Sequence, residues 1–291
     1  MKKQTGVLLA AAMLACWGGL TAFLQRTDLA EDAAVYRKLD TFISGEGTAS
    51  SGSGGRTALK TERSGSTAAV LPEEEGTDST CRDNLPEKTA AEGIDYAALR
   101  SVNPDFAGVI SIPALHLRYP MAFSTDNKEY LSRSYDGSPS GAGCIFVDCR
   151  ADRSLSDRNT MIYGHNMKDW SMFGSLKRFL QEEGLCASDP FIYVFTADGI
   201  RKYRIFSYYV ADAGSAAYDT VDSDTAYDRY LRSARVSSEY TEEEMDFGRR
   251  PKLLTLSTCH SSGHRYYFVV HAALIRLEET AESSVPAAAQ P

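Results

Sequence analysis

The sequence predicts a mostly β fold, either a closed barrel or a sandwich. Three observations lead there. Eight mostly short segments rich in β-branched and aromatic residues run from Ala107 to Leu277. Turn signals such as Ala197-Asp-Gly199 separate them. Helical periodicity is confined to a few stretches, and so many strands with so little helix must close on themselves or pack as two sheets. The chain has 291 residues and a formal net charge of −8. That length allows one good-sized domain with appendages. The acidic balance argues against a nucleic-acid binder, which needs a basic face.

The elements follow in order. Lys2 and Lys3 precede an uncharged apolar run from Gly6 to Leu24. Some 19 residues at about 1.5 Å each span roughly 28 Å, close to the hydrocarbon thickness of a bilayer. The flanking lysines place the N-terminus in the cytoplasm and the remainder outside. Residues 1–27 are therefore expected to be a cytoplasmic tip and a single-pass signal anchor. The alternatives are a cleaved signal peptide and, at Ala15-Cys16, a lipoprotein cleavage site. The run's continuation through Trp17 and Phe23 favours the uncleaved anchor. Residues 28–43 carry Leu29, Ala33, Tyr36, Leu39 and Ile43 at helical spacing and predict a juxtamembrane helix. Residues 44–92 are rich in Gly, Ser, Thr and Glu, with Ser50-Ser-Gly-Ser-Gly-Gly55 at their centre. Such a tract buries too little apolar surface to offset ordering, so a flexible linker is expected.

The folded domain is expected over 93–279, with a disordered tail at 280–291. A short helix over Ile94–Val102 ends at Asn103-Pro104. Strands are expected at Ala107–Ile112, Leu115–Ala122, Gly143–Asp148, Asn159–Tyr163, Phe191–Thr196, Arg201–Ala211, Leu253–Thr258 and Tyr266–Leu277. A small helix is expected over Phe173–Leu180 and a longer one over Ser223–Arg235, with Tyr227, Tyr230 and Leu231 on one side.

The last two strands are joined by a few small or polar residues and read as a hairpin. Cys259 then stands at the end of one strand and Arg265 at the start of the next, at one rim of a sheet. A neighbouring cation favours the thiolate. His165 stands just past the strand ending at Tyr163, where Gly164 breaks the run. Nucleophile, proton-transfer group and cationic stabiliser are the parts that acyl transfer through a thioester requires. Ser257, Ser261 and Ser262 read first as surface and turn polarity. His116 and His271 read as structural. Cys259, His260 and His264 do not match common zinc spacings, and no metal or cofactor is expected. The six cysteines are Cys16, Cys81, Cys144, Cys149, Cys186 and Cys259. Cys144 and Cys149, five apart, would face opposite sides of a regular strand and should not pair.

Several runs carry a family resemblance. Thr255-Leu-Ser-Thr-Cys259, Tyr163-Gly-His-Asn-Met167 and Ser171-Met-Phe-Gly-Ser-Leu-Lys177 resemble a class B sortase. So do Asn103-Pro-Asp-Phe-Ala-Gly-Val-Ile-Ser-Ile-Pro113, Tyr119-Pro120 and Asp126-Asn-Lys-Glu-Tyr-Leu131. The resemblance runs from about Ile94 to Leu277 and selects the closed eight-stranded barrel, with N-terminal helices and an extra helix before the catalytic strand. It implies a membrane-tethered cysteine transpeptidase on the outer face of a Gram-positive cell, without a cofactor. Cys259 would be the nucleophile, His165 the proton-transfer group and Arg265 the oxyanion or substrate clamp. Asn166 would orient the histidine loop, and Thr258, Ser261 and Ser132 would bind or orient substrate. Where the family commonly has an asparagine, this chain has Ser132. Its arginine also departs from the pattern, because Tyr266 and Tyr267 separate Arg265 from the aliphatic run. The implied partners are proteins with a C-terminal sorting signal of Asn-Pro-x-Thr type and an amine acceptor, either a peptidoglycan precursor or a pilin lysine. A thiol peptidase and a catalytically silent surface-binding domain are the competing readings.

Overall fold

The computed structural model describes residues 31–44, 91, 93–240, 242, 245–259 and 265–279. The expected anchor over 1–27, most of the expected linker and the tail at 280–291 lie outside them. Among the described residues no helix is long and apolar enough to cross a membrane.

Eight strands close into a barrel: β1 Phe106–Ile112, β2 Leu117–Phe123, β3 Ile145–Val147, β4 Asn159–Tyr163, β5 Phe191–Thr196, β6 Gly199–Asp212, β7 Leu253–Cys259 and β8 Tyr266–Glu279. Their order around the barrel is β1-β2-β3-β4-β7-β8-β6-β5. The barrel is thus the outcome, and the sandwich is not. Most neighbours are antiparallel, but β2 pairs with β3 and β4 pairs with β7 in parallel. The predicted hairpin is β7 with β8, in register from Leu253 opposite Ala273 to Cys259 opposite Tyr267.

Alternation along the strands fills two sides. Leu254, Leu256, Ile162, Val194, Phe268 and Val270 point into the barrel. Leu253, Val269 and Ala273 point outward into a second cluster with Tyr227 and Tyr230. Helix α5, Asp224–Val236, supplies those tyrosines. Its start is fixed by Ser223, whose hydroxyl accepts from the Ala226 amide at 3.2 Å, a cap that contributes about 1 kcal/mol. A third cluster lies under α1 (31–44) and α2 (Tyr96–Val102), where Leu39, Ile43 and Leu99 meet Phe106 and Val109. Burying each such aliphatic side chain contributes roughly 1.5–3 kcal/mol.

Several boundaries differ from the sequence reading for local reasons. Pro113–Leu115 forms a 3-10 turn ended by His116 at φ 50°, so β2 starts at Leu117. β3 is only Ile145–Val147, because Gly143 turns at φ 63° and the Cys144 amide donates to the Tyr130 carbonyl. The helix expected over Phe173–Leu180 is a 3-10 stretch, Phe173–Lys177, running into α3, Arg178–Gln181. The short α4, Leu185–Ser188, had no signal in the sequence.

Candidate active site

The site grows from the parallel pairing of β4 and β7. Tyr163 is in register with Ser257. His165 and Cys259 each lie two residues beyond that pair, at the same rim, and neighbouring strands run roughly 4.8 Å apart. The Gly164 amide donates to the Ser257 carbonyl at 3.2 Å and continues the ladder one step past β4. Glycine is needed at 164, because a Cβ there would lie 2.7 Å from the Phe173 ring. Cys259 closes β7, and His165 follows β4 by two residues.

His165 is half-buried and held on two sides. Its Nε2 lies 2.7 Å from the Leu131 carbonyl, and its own carbonyl accepts from the Phe173 amide at 3.0 Å. Gly143 packs under the ring, where a Cβ would come within 2.8 Å of His165 Cδ2. Asn166 forms a β-bridge with Met172, which closes the loop after the histidine. The strand that carries this loop is itself anchored. Tyr163 donates to Asp148 at 2.9 Å, and Arg150 grips the same carboxylate with Nε and Nη2. Burial alone would raise the Asp148 pKa, but the hydrogen bonds from Arg150 and Tyr163 hold it below the usual carboxylate range.

A cavity of about 400 Å³ opens beside the histidine, between Leu131, Tyr163, His165, Ser257, Thr258 and Tyr267. Its lining is mostly apolar with a few polar groups, the usual character of a ligand site. Thr258 is buried, and its hydroxyl has no hydrogen-bond partner among the described residues. Ser257 corrects the sequence reading. It is 2% exposed rather than surface polarity, because Tyr218, in the 3-10 turn Ala216–Tyr218, covers it and shares a 2.8 Å hydrogen bond with its hydroxyl.

The remaining candidates separate. Arg265 is on the rim but outside the cavity lining. Its side chain is 77% exposed, with Nε 3.8 Å from Asp212 Oδ1 and the guanidinium over the Tyr266 ring. Ser132 is exposed, and its main chain accepts from the Ser140 amide, whereas its neighbour Leu131 reaches the histidine. Ser261 lies outside the described residues. Cys144, Cys149 and Cys186 are free thiols. Burial pushes Cys144 and Cys186 up to about 12, which makes them poor nucleophiles, and Cys149 is exposed. Sequence reasoning missed Leu131, which acts through its main chain and leaves no side-chain signal. It also missed Tyr218, whose loop position gives no periodicity.

Comparison with known proteins agrees with this fold. A family model described as the sortase domain matches residues 110–275. A curated Sortase B of Listeria monocytogenes is 35% identical over 164 residues, which is 55% of this chain and 65% of that protein. The chain thus spans just under two thirds of that relative's length. Sortase B from Bacillus anthracis, solved in complex with AAEK1, is 34% identical and superposes with a TM-score of 0.56, covering 62% of this chain and 84% of that one. Sortase B of Clostridium perfringens is 27% identical with a TM-score of 0.58, covering 62% of this chain and 99% of that one.

Proposed function

This chain belongs to the sortase family, in its class B branch, and on that premise we propose that it is a membrane-tethered cysteine transpeptidase for surface proteins. The Cys259 thiolate attacks the carbonyl carbon of the threonine in an Asn-Pro-x-Thr-type sorting signal. The C–N bond to the following residue breaks, and His165 gives a proton to the departing amine. The acyl group is left as a thioester. His165 then accepts a proton from the incoming amine, which attacks the thioester and regenerates the thiolate. Arg265 donates hydrogen bonds to the oxyanion in both tetrahedral intermediates or holds the substrate backbone. The acceptor is an amine of a peptidoglycan precursor or of a pilin lysine. Residues 1–27 hold the enzyme in the membrane by a single span, with the barrel outside the cell.

The observation that carries this reading is the shared rim of β4 and β7, which brings His165 and Cys259 to matched positions past one register pair. The adjoining cavity supports it by offering an apolar berth for an extended peptide. The test uses the full chain in detergent with a fluorogenic sorting-signal peptide, with and without an amine acceptor. Amine-dependent product that is lost in Cys259→Ala is the expected result. Hydrolysis of unrelated peptides would indicate a thiol peptidase. Peptide binding without turnover would indicate a silent binding domain.

A further inference from the structure

We propose that Tyr36, carried by helix α1 outside the barrel, is a positioning residue for His165. The inference rests on the reading of His165 as the proton-transfer group. Two loops flank the imidazole. One runs from Tyr130 to Cys144 and supplies the Leu131 carbonyl and the Gly143 floor. The other follows the histidine to Met172 and returns at Phe173, whose amide binds the His165 carbonyl.

Tyr36 is joined to both. Its hydroxyl donates to the Gly143 carbonyl at 3.0 Å. Its ring meets Tyr119 edge to face at 5.3 Å, and the Tyr119 hydroxyl accepts from the Met172 amide at 3.3 Å. Met172 is in turn the residue bridged to Asn166. One helical turn earlier, Asp32 accepts from the Ala142 amide at 3.3 Å, so the same helix face holds two consecutive residues of the floor. Gly143 has no slack to pass on. At φ 63°, a Cβ would lie 2.6 Å from the Tyr130 carbonyl and 2.8 Å from the imidazole, so a small displacement of its main chain is felt at His165. Burial raises the Tyr36 phenol well above its ordinary pKa and keeps it a donor. Leu39 and Ile43 are the fully buried apolar anchors of α1, and the Tyr36 ring packs beside them while its hydroxyl reaches the loop. The hydrogen bonds of Tyr36 and Asp32 both go to the loop that floors the histidine, and Tyr119 of β2 links the Tyr36 ring to the other loop.

The experiment is Tyr36→Phe in the full chain, with Asp32→Ala as the second variant and His165→Ala as the control. Each is assayed for kcat, KM, melting temperature and the pH profile of transpeptidation. The His165 ring resonances are followed by NMR in a Cys259→Ala background. Positioning predicts a kcat lower by about tenfold, since sub-ångström misplacement of a reacting group is costly, with KM within about twofold of wild type. It also predicts displaced His165 resonances and a shifted pH profile. If Tyr36→Phe and Asp32→Ala change only the melting temperature, or nothing, the proposal is overturned. If His165→Ala itself turns over normally, the role given to His165 fails, and this inference fails with it.

Discussion

The main-chain carbonyl of Leu131 faces Nε2 of His165 at 2.7 Å. A carbonyl only accepts, so Nε2 carries a proton in this arrangement. In the neutral ring Nδ1 is then the basic nitrogen, and the proton transfer proposed for His165 would run through it. The expected result in Cys259→Ala protein is a ¹⁵N spectrum with a protonated Nε2 and a bare Nδ1 once the ring is neutral. The opposite tautomer would mean that the Leu131 contact does not govern the histidine.

Arg265 is expected to matter for turnover and hardly at all for stability. Its ion pair with Asp212 is long and exposed, and such pairs contribute about 0–1 kcal/mol. Arg265→Ala should lower kcat/KM by at least ~100-fold, the scale of one lost oxyanion donor, while the melting temperature stays within a degree or two. Near-normal turnover would assign the task to another arginine.

The thiols should react in a fixed order. Cys149 is exposed, whereas burial pushes Cys144 and Cys186 up to about 12. Iodoacetamide at pH 8, followed by mass spectrometry, should label Cys149 and spare the other two until the protein unfolds. Because their folded pKa lies above the ordinary value of 9.0, the stability these two contribute is complete below pH 9. It is lost as pH rises toward about 12.

His271 should set part of the acid sensitivity. It is fully buried, with Nδ1 3.0 Å from Thr255 Oγ1 and 3.2 Å from the Tyr230 hydroxyl. Burial lowers its pKa from 6.5 to about 3. A depressed folded pKa gives stability that is complete above pH 6.5 and lost as pH falls toward about 3. The slope from one such group is at most about 1.4 kcal/mol per pH unit. Urea unfolding of His271→Gln between pH 6 and pH 4 should show a shallower slope than wild type. Coincident slopes would mean that the ring is not held neutral.

What could be read in advance depended on whether the signal was local. The β7–β8 hairpin was legible, because two runs of β-formers meet across a short connection. The placing of Cys259 at the end of β7 and of His165 just past β4 was legible, because both follow runs of β-formers. Barrel or sandwich was not legible from the alternation, since period-two patterning suits both. Closure depends on β1 meeting β5, a pairing with no sequence mark, and the family resemblance supplied it instead. Ser257 was misjudged for a related reason. A serine in a strand looks solvated until Tyr218 arrives from a loop 39 residues away and covers it. The role of Leu131 lay in its carbonyl, which every residue possesses.

The place of β7 also has a bearing on timing. It lies between β4 and β8, and Thr255 reaches back 96 residues to bond Asn159. Contacts so distant along the chain form late in folding. A nascent polypeptide emerging from its N-terminus therefore presents His165 well before Cys259. The barrel cannot close until its seventh strand takes its place between β4 and β8.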